Sequence, residues 1–441
     1  MAEDEGNEVE TAIDLQYHRI DLRWDHALER GNWRQALMLG LDSTEVADGD
    51  IALVNRMVGA RSEYEQQLSD TVNFRAGADA LFEALSQEFD ENVDEEESVP
   101  AMADPTNPMA VPVAGTAPMA MLATPPPDPD LQAEQDDEVD FGFNSARRDF
   151  VFGVRADLQI DVTPRFQLVP GLRTDLFVSG PDVAVGVDPR LSARFEINDR
   201  LALTHGIGVA HQTPSFPIPI PGAKPSLKGG LQRAVQYSAG VEYDLPGGFK
   251  SSLVFFDNLF FNMTDLIGLA RLADTADLED DNFRMLGRGY GAEFMIKRSL
   301  TRRLGGFLSY TLSRSERFRG LLRGPSTTDR THVLNVAGSY DLGANWRFGA
   351  RGLVYSGIPA RVAYLEAARH PPRTPPFWRL DWRLHKRWLV GNGPGYWQLV
   401  LEVLNTTLNE EVLERSCNAY DCVDDSIGPV TIPSIGVEGA F

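Results

Sequence analysis

The sequence predicts an all-β fold: an antiparallel transmembrane β-barrel with about 17 strands visible. Three observations predict it. The first is the stretch 377–388, F-W-R-L-D-W-R-L-H-K-R-W. Trp378, Leu380, Trp382, Leu384 and Trp388 alternate there with Arg379, Asp381, Arg383, His385 and Arg387. Successive side chains of a strand point to opposite faces, so one face is aromatic and aliphatic and the other ionic. A soluble sandwich also has an apolar face, but it seldom crowds several tryptophans onto one short strand. A wall between lipid and a wet lumen requires this arrangement.

The second observation is how the connections sort. Short turns rich in Gly, Asn, Asp and Pro fall at residues 29–32, 162–165, 198–200, 246–248, 300–303, 343–345 and 391–394. They alternate with long links at 214–230, 266–284, 318–327 and 359–375. Hairpin turns at one end and long loops at the other form the asymmetry of outer-membrane barrels. The third observation is aromatic. Trp24 and Trp33 flank one short turn, Tyr243 and Phe249 another, Tyr340 and Trp346 a third, and Trp388, Tyr396 and Trp397 a fourth. With the terminal Phe441 they outline a girdle at the periplasmic membrane boundary. Strand propensity alone also draws aromatics to strand ends.

A chain of 441 residues can hold one large barrel or two to three ordinary domains. Its formal charge of -23 argues against nucleic acid as a partner, because no basic stripe is present to neutralise phosphates. Negative mean hydropathy and the lack of an apolar run of about 18 residues exclude transmembrane helices. They do not exclude a barrel, whose alternation averages to a polar mean. Residues 83–146 break the pattern. Acidic positions from Glu88 to Glu97 give way to Pro-, Ala- and Met-rich sequence and then to Asp136, Asp137 and Glu138. Such a composition cannot bury a core, so it predicts a long disordered extracellular loop between barrel strands in 1–82 and in 147–441. An interdomain linker is the rival reading; it would make 1–82 a separate small domain, with 76–87 open to a helical reading. Cys417 and Cys422 are too few for a structural zinc site and do not form C-x-x-C, which leaves a small loop disulfide or two free thiols.

Residues 188–217, D-P-R-L-S-A-R-F-E-I-N-D-R-L-A-L-T-H-G-I-G-V-A-H-Q-T-P-S-F-P, resemble the barrel of TonB-dependent outer-membrane receptors. G-R-G-Y-G-A-E-F-M-I-K at 287–297 is similar to that family's recurrent G-x-x-Y-G-x-E strand. S-Y-T-L-S-R at 309–314, D-R-T-H-V-L-N-V at 329–336, V-L-N at 403–405 and the terminal Phe441 continue the likeness in order. It covers 188–441 well and 147–187 moderately, and earlier segments only in pattern. The resemblance implies the C-terminal part of a barrel of about 22 strands, integral to the bacterial outer membrane. Its partners would be outer-membrane lipid, the barrel-assembly machinery and a small nutrient ligand, such as a ferric siderophore, a cobalamin-like chelate or a glycan. In the family, TonB acts through a plug domain. Neither a plug nor a TonB-contacting box is visible here, and M-A-E-D-E-G-N-E carries no secretion signal. The expectation is that signal, plug and first strands are absent from this chain. Gly439 departs from the family's ending, where a larger apolar residue is usual. A plug-less diffusion porin or structural barrel is the alternative.

No G-x-S-x-G elbow, H-E-x-x-H motif or phosphate loop is present, so no catalytic residue, metal site or cofactor is expected. His205 and His211 stand about 20 Å apart on one strand. The acidic run near residue 95 lacks the Gly-bearing loop of a calcium site. The candidate functional residues are those expected in the lumen: Arg379, Asp381, Arg383 and Arg387 on one strand, with Arg288, Glu293, Glu402 and Glu438 on others. Mixed charges suit contact with a plug, or a constriction whose opposite charges set a transverse field. A hydrated wall without a special role would carry the same residues.

Overall fold

Alternation in the sequence becomes hydrogen-bonded register in the computed structural model. It describes residues 13–46, 51–89, 146–214, 227, 229–264, 284–299, 303–319, 322–362, 370–391, 395–417 and 421–440. The first strands are β1 (Ile13–Leu28), β2 (Gly31–Val46), β3 (Ile51–Ser69), β4 (Val72–Phe89), β5 (Ala146–Thr163), β6 (Phe166–Ser179) and β7 (Asp182–Asn198). Next come β8 (Leu201–Gln212), β9 (Gln232–Leu245), β10 (Phe249–Thr264), β11 (Arg284–Arg298), β12 (Leu304–Arg319), β13 (Leu322–Pro325) and β14 (His332–Gly343). The last are β15 (Trp346–Tyr355), β16 (Arg361–Val362), β17 (Phe377–Leu389), β18 (Tyr396–Leu404), β19 (Glu411–Cys417), β20 (Cys422–Ile427) and β21 (Ile432–Ala440).

One antiparallel sheet holds 18 of these strands, and β13 within it is a four-residue piece paired only to β12. The others follow each other up and down in chain order, in agreement with the expected number. Among the described residues β1 pairs only with β2, and β21 only with β18. β16, β19 and β20 form a separate small sheet in the connections.

Two sequence expectations change. β4 pairs with β3 and with β5 along its length, so the strands before and after residues 90–145 belong to one sheet. The separate-domain reading of 1–82 therefore fails, and 76–87 is strand rather than helix. The boundary at residue 83 also moves: β4 continues to Phe89, with Glu83 opposite Asp149. Residues 90–145, expected to be a disordered loop, lie outside the described residues.

The register sorts side chains by face. Phe348, Leu384, Leu401 and Ile435 stand in one row across four strands. The adjacent row carries Arg383, Glu402 and Ser434. On the apolar face Leu22 is 62% exposed, Trp388 48% and Ile435 74%. A patch of such residues spanning a whole sheet is far beyond what a soluble monomer exposes, so lipid is its solvent.

Turns of two residues join β1–β2, β3–β4, β5–β6, β7–β8 and β14–β15, all at the same end. The opposite end carries the long connections, with two exceptions: four residues between β2 and β3, and Gly180–Pro181 between β6 and β7. In the β14–β15 turn both Ala344 (φ 49°) and Asn345 (φ 63°) are left-handed. That is the twist a two-residue hairpin requires, and Asn tolerates it better than Ala. Ala344→Gly is expected to stabilise the protein by about 0.5 kcal/mol, the relieved strain less the added chain entropy. Urea unfolding in lipid vesicles measures it.

Candidate functional site

The polar face is a ladder of ion pairs, most of which reach across an intervening strand. Arg34 bonds Asp25 at 2.7 Å, and Arg155 reaches Glu63 at 2.7 Å. Arg173 holds Asp79 at 3.0 Å and Asp175 at 2.6 Å. Arg190 grips Asp157 at 2.6 Å, and Arg194 pairs with Glu242. Asp157 and Asp175 are buried although they stand on a wall, because the guanidiniums cover them. Glycine makes the room: a Cβ on Gly153 would collide with Asp175, and one on Gly171 with Asp157. No sequence motif marks these residues. The period-two spacing of charge, as in Arg155 and Asp157 or Asp188 and Arg190, is the signal that could have found them.

The expected lumen residues of β17, β18 and β21 lie on this face. Arg383 stands 3.7 Å from Glu402 and 3.1 Å from Glu438. Gln398 links Glu438 (3.1 Å) to Arg387 (3.0 Å), which makes it a member that sequence reading missed. Arg379 lies 3.1 Å from Asp381. Asp381 is 5% exposed and accepts the Asn405 backbone N–H at 2.8 Å, so it anchors the connection after β18. Glu293 shares the polar face with Val254 and Thr311. Arg288 does not: five residues from Glu293 on one strand, it points the other way, pairs with Asp257 at 2.7 Å and lies over the Tyr290 ring. The expectation that both line the lumen conflicts with a period of two.

Tyr243, Phe249, Tyr340, Trp346, Trp388 and Trp397 take the apolar face near the short turns. Trp24 and Trp33 join them, edge to face at 5.9 Å. Tyr396 is displaced from the expected girdle. It shares the face of Gln398, and Arg387 lies 4.1 Å over its ring. Phe441 lies outside the described residues. Lys386 is charged on the apolar face, but its ammonium reaches back to the Ala344 carbonyl and lies near the Trp346 and Trp388 rings. That is snorkelling toward the boundary.

At the other end three connections join into one body. Asp329, 1% exposed, accepts the Ser315 N–H at 2.5 Å and pairs with Arg373. Arg373 also donates to the carbonyls of Asp329 (2.8 Å) and Gly357 (3.0 Å). Arg415 donates to the Arg373 carbonyl at 2.9 Å and pairs with Asp424, whose carboxyl this bond holds below its ordinary range. Arg330 lies 3.9 Å over the Tyr355 ring, and both meet Glu411. Cys417 and Cys422 form a disulfide that closes the β19–β20 hairpin.

Among the described residues no three His, Cys, Asp or Glu side chains gather as metal ligands. The arrangement offers fixed, paired charges along a wet wall and an organised cap of loops above it. The fold and this wall define a transmembrane β-barrel. A family model, the TonB dependent receptor-like β-barrel, matches residues 4–405, and the chain belongs to that family.

Solved structures agree on the fold. The ferric-catecholate import receptor Fiu of E. coli K12 in its closed form matches with a TM-score of 0.62 at 12% identity, over 97% of this chain and 64% of that one. The ferric citrate transporter FecA in its unliganded form gives 0.62 at 14%, covering 97% and 62%. The ferric yersiniabactin uptake receptor FyuA of Yersinia pestis gives 0.62 at 12%, again covering 97% and 62%. The chain thus spans less than two thirds of the length of these structures. No curated protein sequence matches significantly.

Proposed function

We propose that this chain is the barrel portion of an outer-membrane receptor that takes up a scarce nutrient, with a ferric chelate as the leading cargo. The observation that carries the reading is the charged face running from β1 to β21, held in a wall whose other face is apolar. A polar body or a hydrated solute can slide along paired charges without stranding any of them. The family supports it, and so do the iron-chelate cargoes in the names of the similar structures. A cobalamin-like chelate or a glycan would use the same wall. Through a plug domain outside this chain, TonB would supply the energy.

Growth of a deletion strain on single iron, vitamin and glycan sources tests the proposal. Loss of growth on one ferric chelate, restored by the gene, is the expected result. Unchanged growth on every source, with a steady open pore in planar bilayers, would establish the diffusion porin instead.

A further inference from the structure

We propose that the membrane-facing wall carries a site for a phosphorylated, acylated lipid of the outer leaflet, built from Arg56, Arg148 and the apolar groove beneath them. The register puts Arg56, Ala84 and Arg148 in one row across β3, β4 and β5. All three share the apolar face with Val58, Phe82 and Phe150 in the row below. With the small Ala84 between them, the two arginines flank a gap about 10 Å wide at ordinary strand spacing. A groove of about 820 Å³ opens there, lined by both arginines, Phe82, Ala84, Phe150 and Val178.

Height and charge decide the occupant. Ala84 stands about 30 Å above the β3–β4 turn at ordinary strand rise and tilt, where an apolar band about 25 Å tall has ended. A guanidinium on the lipid side is tolerated at that level because headgroups begin there. Other arginines of the upper apolar face are held in place: Arg288 pairs with Asp257, Arg314 and Arg323 pair with Glu316, Arg233 lies over the Phe261 ring, and Arg284 donates to the Asn262 carbonyl. Arg56 and Arg148 are both exposed, and no side-chain hydrogen bond or ion pair holds either of them among the described residues. Two unneutralised guanidinium forks above an apolar cleft complement a phosphate whose acyl chain lies along the wall. A water-soluble anion would have no use for the groove.

The site needs only the barrel in its membrane, so a porin would carry it equally, and failure of the nutrient reading leaves its test intact. The purified full chain is titrated with diphosphoryl lipid A, with dephosphorylated lipid A and with inorganic phosphate, and bound lipid is counted by native mass spectrometry. The wild type is expected to retain diphosphoryl lipid A at least about 10-fold more tightly than R56Q/R148Q does, and more tightly than it retains the dephosphorylated lipid. R288Q, which alters an already paired arginine, should bind as wild type. R56K/R148K should fall between, since it keeps charge and loses the fork. Equal retention by R56Q/R148Q overturns the proposal, as does displacement of the lipid by equimolar inorganic phosphate. So does a wild type that takes up lipid only after the acidic residues 94–97 are neutralised, which would give the groove to the chain's own segment. Heat-modified gel mobility confirms that each variant is folded.

Discussion

Leu384→Arg is expected to lower the stability of the barrel in lipid vesicles by about 2–4 kcal/mol. Leu384 sits in the apolar row with Phe348, Leu401 and Ile435. It lies about 15 Å above the β17–β18 turn at ordinary rise and tilt, near the middle of the hydrocarbon. A guanidinium there reaches neither boundary easily. Ser434→Arg is the control, one row away on the opposite face beside Glu402. It enters a wet surface of paired charges and should change stability by no more than about 0.5 kcal/mol. Urea unfolding of both variants in vesicles makes the comparison. Similar losses in the two would mean that the faces are misassigned.

Asp329→Ala is expected to loosen the cap by about 3 kcal/mol while the wall changes less. Asp329 is among the most buried groups of the molecule, and its carboxylate serves two donors, the Ser315 N–H and the Arg373 guanidinium. Deleting it leaves a buried N–H and a half-buried cation without their acceptor, and such one-sided losses are costly. Arg373, in the segment that leads into β17, in turn ties Gly357 to the same point. The connections around 322–331 and 370–376 should then open together, with proteolytic cleavage about 100-fold faster at the same protease concentration. A cleavage rate equal to wild type would show that the cap is held by its backbone alone.

How much of this was legible in the sequence follows from where the information resides. The wall was legible because a period of two is a local property: the twelve letters at 377–388 already divide Trp378 from Arg379. Strand number followed from turns such as Gly343–Ala344–Asn345, where Gly343 and Asn345 suit the left-handed backbone they adopt. The face of Arg288 was legible too, since five residues separate it from Glu293 on one strand and an odd separation means opposite faces. The face of Tyr396 was not, because nearness to a turn does not say on which face a ring stands. The ion-pair ladder of the N-terminal half was invisible as a network, since Arg173 meets Asp79 from 94 residues away. Only pairing β4 to β5 and β5 to β6 brings them together. The cap was least legible, because Asp329, Arg373 and Arg415 lie in three different connections that share no period.

The two-residue turns have a further consequence, for how this gene can change. A single residue lost from β15 just after its two-residue turn would carry Arg347 and Arg351 into lipid and Phe348 and Val354 into the lumen. Turns of fixed length at one end leave the strand no slack in which to absorb the shift. Insertions and deletions should therefore be tolerated almost entirely at the opposite rim, where length can be added without reversing a face. The periplasmic edge acts as a reading frame for the wall, and the extracellular edge is where the sequence is free to lengthen.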